Sequence, residues 1–148
     1  MRTRQLLEIL LRLMAAVHVL ALVGVVLPVA MMNAAHGWLG LGTFPDAPIA
    51  WYLARSVSAL YAIYGGLLWL CATDVFRYSG IIRYFCYTGF AFAGFITVLD
   101  IRADLPWFWL LAEGPGLVCI CIVFLVLLRA AEAQRNLNSA TGEGQQAP

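Results

Sequence analysis

The chain has 148 residues, 63% of them hydrophobic, and its charge comes from nine arginines, no lysine and eight acids. Mean hydropathy is +0.85. A soluble domain carries about a quarter charged residues, so this composition excludes an ordinary soluble enzyme. A net charge of +1 without a basic cluster argues against a nucleic-acid binder, and the length excludes a large transporter.

A helix needs about 20 mostly apolar residues to cross a bilayer. Four segments qualify, about Leu13–Met32, Ile49–Thr73, Ile81–Leu99 and Pro106–Leu128. Ten-residue segments of alternating polarity, the mark of a membrane β-barrel, are absent. Arg2 and Arg4 ahead of an apolar run resemble a signal peptide, but no small-x-small cleavage site follows, so the run reads as a span. The expected fold is an all-α integral membrane four-helix bundle, one domain over residues 1–135. The polar stretch 136–148 is expected to be a flexible tail.

Arginine placement predicts orientation. Arg2, Arg4, Arg12, Arg77, Arg83, Arg129 and Arg135 fall on one side of a four-span plan, and Arg55 and Arg102 on the other. The positive-inside rule puts both termini in the cytoplasm, in a bacterial inner membrane.

Between the first two spans lies Asn33–Pro48, long for a helix hairpin and too apolar for a free loop. Trp38, Leu39, Leu41 and Phe44 predict a short interfacial helix, then a turn at Pro45-Asp46. This segment is either an interface anchor or a lid to which His36 and Asp46 contribute.

In lipid, helices associate where small residues let backbones approach. Ala54, Ser58, Ala62, Gly65 and Gly66 of the second span lie within an arc of about 120°. Gly89, Ala93 and Thr97 form a shorter stripe on the third. These stripes predict that spans two and three form a tight antiparallel pair.

Three charges interrupt the spans. Arg55 lies about 9 Å and Glu113 about 10 Å from the outer ends of their helices, and Asp100 closes the third span. Arg55 falls on the small-residue arc and points inward. The matched depths predict an Arg55–Glu113 salt bridge with Asp100 as a second partner, because intramembrane charges need compensation. The cluster is either a structural ion pair or an outward-facing polar pocket for a solute or proton. Glu113-Gly-Pro-Gly116 should disturb its helix, since Pro115 has no N–H and clashes with the Leu111 carbonyl.

Other chemistry is thin. His18 and His36 are about 27 Å apart along a helix and cannot share a haem. His18 is expected to bond a tyrosine or a carbonyl. Cys71, Cys86, Cys119 and Cys121 read as apolar fillers rather than a metal or redox site. Asp74, Arg77 and Tyr78 read as caps and headgroup anchors. No catalytic motif, cofactor or metal site is expected.

The stretch His36-Gly-Trp-Leu-Gly-Leu-Gly42, then Tyr52-Leu-Ala-Arg-Ser56, Asp74-Val-Phe-Arg-Tyr78 and Glu113-Gly-Pro115 resembles an uncharacterised family of small four-span bacterial membrane proteins. The resemblance implies the four-span fold and carries no activity, cofactor or catalytic residue. The expected role is non-enzymatic: an accessory or structural subunit in the lipid bilayer, packing with other membrane proteins or with itself. The alternative is a small solute or proton carrier using Arg55, Glu113 and Asp100.

Overall fold

The computed structural model describes residues 2–143; the end of the expected flexible tail, residues 144–148, lies outside the described residues. The helices are α1 (Arg2–Leu20), α2 (Leu22–Val26), α3 (Val29–Trp38), α4 (Pro48–Cys71), α5 (Ser79–Arg102) and α6 (Trp107–Glu143), with no strand among the described residues. Helices α1 and α2 continue one another across Ala21, so four rods are long and apolar enough to cross a membrane.

The first span differs from its expected continuous course. Pro28 cannot donate to the Gly24 carbonyl and its ring crowds that turn. It also pushes the preceding residue out of the helical region. Leu27 accordingly sits at φ −63°, ψ 130°, and α3 starts afresh after Pro28. The break expected at Pro115 is absent, because α6 runs helical through it. Gly114 and Gly116 flank that proline, and Gly114 lies directly on Thr97 and the Ala93 carbonyl of α5. The last helix also continues through Glu143, so residues 136–143 are helical where a flexible tail was expected.

The helices pair as two hairpins. The α1–α2 rod lies along α4, and α5 lies along α6. Helices α4 and α5 meet only sparsely, which corrects the expected pairing of spans two and three. Apart from Gly66, which is exposed, both small-residue stripes face protein, but each faces the partner within its own hairpin. A Cβ on Gly24 would strike Ser58, and one on Gly65 would strike the Ala15 carbonyl and His18. One on Gly89 would strike the Cys121 sulfur. The mistake lay in matching two similar stripes to each other, although any close backbone approach requires small residues.

The hairpins join at one end, here called basal. Leu7 and Leu11 of α1, Leu68 and Cys71 of α4, Val75 of the following turn, Ile82 and Cys86 of α5, and Phe124 and Leu128 of α6 form a single core. Seven of the arginines belong to this half, and several have partners. Arg4 pairs with Glu8 and Arg83 with Glu132. The Phe76 ring is approached by the guanidinium groups of Arg4, at 5.6 Å, and Arg135, at 4.9 Å. The Asp74 carboxylate accepts from the backbone N–H groups of Phe76 and Arg77, the capping role expected of it. The buried residues shared by the two hairpins all lie towards this end; the other end is here called distal.

Candidate functional site

The three charges Arg55, Asp100 and Glu113 lie in the distal half, but they do not converge as expected. The described ion pairs are Arg4–Glu8 and Arg83–Glu132, so the Arg55–Glu113 salt bridge is not formed. Equal depth is not proximity. Arg55 stands on the arc of α4 that faces the first rod, whereas Glu113 belongs to the other hairpin.

Arg55 instead serves the broken helix. Its Nη2 donates to the Leu27 carbonyl at 3.4 Å, at the point where Pro28 ends α2. A cation at a helix C-terminus is favoured by the helix dipole and by the unbonded carbonyls there. The guanidinium also lies over the Trp51 ring, 5.1 Å from its centroid, an attraction that strengthens away from water. Arg55 Nε remains buried without a partner.

The two acids are neighbours on the other hairpin. Asp100 is 3% exposed, and its Oδ2 is buried without a hydrogen bond. Glu113 is half-buried, beside the Trp109 indole one turn earlier and within electrostatic reach of Asp100 and Tyr61. The distal half therefore holds an acidic pair and a separate cation, each with an unsatisfied atom or a desolvated carboxyl.

The proposed lid residues do not reach Arg55 through any hydrogen bond or ion pair among the described residues. His36 packs edge-on against Phe44 at 5.0 Å, and its Nδ1 is buried without a partner. The Phe44 N–H donates to Asn33 Oδ1, folding the loop back on α3. Asp46 is exposed.

Sequence reasoning missed Trp51 and Leu27 as partners of Arg55. Trp51 was legible, being four residues before Arg55 and so on the same helix face. Leu27 was legible as the residue before a proline. It also missed His18 as part of a cleft. His18 bonds a carbonyl, as expected: its Nδ1–H donates to Met14 O at 2.7 Å. All four cysteines are unpaired; Cys71, Cys86 and Cys121 are buried fillers and Cys119 is exposed.

No protein-family model, curated protein or solved structure matches the chain. The likeness seen in the motifs is thus not carried by a match, and function has to be argued from this geometry.

Proposed function

We propose that the chain is a non-enzymatic integral membrane subunit, resident in a bacterial inner membrane with both termini in the cytoplasm, that packs against another membrane protein or a second copy of itself. The carrying observation is a shallow groove of about 570 Å³ on the outer face of the first hairpin, where Ala16, Val19 and Val23 of the first rod face Gly66 and Trp69 of α4. A Cβ on Gly66 would meet nothing within 4 Å. A small residue at such a position invites a partner helix, since lipid alone rewards no close backbone approach. The basal arginines support the orientation. Helix α3 lies along the interface in this reading, anchored by Trp38, which is 86% exposed.

The test is the species isolated in mild detergent. The wild-type chain should run as a complex or oligomer, and Gly66→Phe should run as a monomer with unchanged helical content. A wild-type chain that is monomeric and alone, like the variant, would overturn the reading.

A second reading, a small solute or proton carrier, is favoured by one observation: Asp100 Oδ2 and Arg55 Nε are both buried without partners. Ionisable groups inside a span mark substrate and ion paths. Proteoliposomes carrying a pH-sensitive dye would then show a flux that Asp100→Asn abolishes. Equal leakage from wild-type and Asp100→Asn vesicles would dispose of it.

A further inference from the structure

A cleft of about 520 Å³ opens between α4 and α5. That is the size of small-molecule sites, which are mostly apolar with a few placed polar groups. Tyr61 and Tyr64 of α4 and Phe85 and Phe92 of α5 line it, the Tyr64 and Phe85 rings meeting edge to face at 4.8 Å as one wall, with Leu60 at its α4 rim. Besides the two tyrosines, whose hydroxyls can donate or accept, two polar side chains line it, His18 and Thr88.

His18 belongs to α1, which lies along α4, and Gly65 of α4 lets it come close to the cleft. A Cβ there would lie 2.8 Å from the Ala15 carbonyl and 2.9 Å from His18 Cβ. Only glycine lets the two backbones approach so closely. The imidazole then lies between Tyr61 and Tyr64, with ring centroids 5.7 and 5.1 Å away.

The hydrogen bonds already made decide what the cleft can recognise. Met14 O can only accept, so His18 Nδ1 must carry a proton. In the neutral ring Nε2 is then a lone pair, and it has no partner among the described residues. Thr88 Oγ1 donates its proton to the Tyr84 carbonyl at 2.8 Å, which also leaves it only lone pairs to offer. Both groups accept. A straight acyl chain would use neither acceptor and none of the ring faces.

We infer that this cleft binds a lipid-soluble ring compound bearing hydroxyl donors, of the hydroquinone or phenol class, with its ring among the aromatic walls and a hydroxyl donating to His18 Nε2. The site is independent of the Gly66 groove, which lies on the other face of the first hairpin.

The experiment uses the full chain in mild detergent under argon. The probes are 2-decylhydroquinone and its dimethyl ether, followed by titration calorimetry. The hydroquinone should bind saturably and the ether about tenfold more weakly, the worth of one hydrogen bond in a dry site. His18→Phe keeps a ring of similar size and should lose about the same factor for the hydroquinone. Leu60→Trp places bulk at the exposed rim and should block both probes, which keeps the test decisive if the His18 variant fails to fold. Equal binding of the two probes would mean a plain apolar slot and would overturn the inference. So would absence of saturable hydroquinone binding, or wild-type binding by folded His18→Phe.

Discussion

The basal and distal halves of this bundle are built from the same kinds of residue, yet they solve the problem of charge in lipid differently. In the basal half arginines meet acids or ring faces, and the helices between them close to a core in which Leu7, Leu11 and Leu128 are fully buried. In the distal half Arg55 meets a carbonyl and a ring, while Asp100 and Glu113 have no ion-pair partner among the described residues. A paired charge near the interface can serve architecture alone, whereas a desolvated and unmatched charge costs stability that something else must offset. The unmatched groups of this chain thus lie in the distal half, away from the shared core.

The largest expected effect tests the basal core. Ile82, 1% exposed, touches the junction of both hairpins. Ile82→Ala should cost about 2 kcal/mol or more, towards the low end of core truncations because lipid rather than water is the alternative surrounding. Leu60→Ala, at a side chain 64% exposed, should cost far less, and Ala62→Leu, at a buried position of the same helix, should cost more than Leu60→Ala. Unfolding midpoints in a denaturing detergent series would check the order; comparable losses from Ile82→Ala and Leu60→Ala would erase the contrast between the halves.

A smaller effect belongs to the α5–α6 hairpin. A Cβ at Gly114 would be driven into Thr97 Oγ1 and to 3.2 Å from the Ala93 carbonyl. Gly114→Ala should destabilise by about 1–3 kcal/mol through overpacking. Combining it with Thr97→Ala should restore part of the loss, which the same detergent series would register. An undisturbed single variant would show that the hairpin is looser than this contact implies.

Arg55 sharpens the comparison further. Arg55→Met leaves the Leu27 carbonyl without its donor, at a cost of about 1–3 kcal/mol for a buried unsatisfied group. Adding Glu113→Gln should not restore stability, because the two side chains form no ion pair. Recovery in the double variant would mean that the charges compensate each other after all.

How much of this was readable beforehand follows from the range of each signal. Span number and length come from local apolar runs, and the segments around Ile49–Thr73 and Ile81–Leu99 match α4 and α5 to within a few residues. The stripes correctly marked buried faces at Ala62 and Ala93, because smallness is a local property. Which stripe meets which is not local, and two glycine-bearing faces look alike whatever helix they meet. The site failed for the same reason. Depth along a helix is written in the sequence, but the lateral position of Arg55 relative to Glu113 depends on hairpin pairing. The proline readings show competing local rules: Pro28 broke its helix because Leu27 took the extended conformation, whereas Pro115 lies between glycines in a packed stretch and α6 stays helical.

The smallest expected effect lies at the distal turns. Helix α3 ends with Gly40 at φ 70°, the Leu41 N–H donating to His36 O and the Gly40 N–H to Gly37 O. Helix α5 ends in the same pattern, with Leu105 donating to Asp100 O and Asp104 to Ile101 O. This is the paired-bond helix terminus that favours glycine at its left-handed residue. At α5 that residue is Asp104, with φ 52°. Aspartate tolerates this region better than most side chains but still crowds its own backbone there. Asp104→Gly removes the crowding and adds freedom to the unfolded chain, two effects of opposite sign. The first should win slightly, for a gain of about 0.5 kcal/mol, because glycine dominates this position in helices generally. Asp104→Ala should go the other way, and so should Gly40→Ala. Midpoints of the three variants under one set of conditions would decide it. A loss from Asp104→Gly would mean that the carboxylate contributes to the distal end beyond its turn, which would enlarge the acidic group of Asp100 and Glu113 to three.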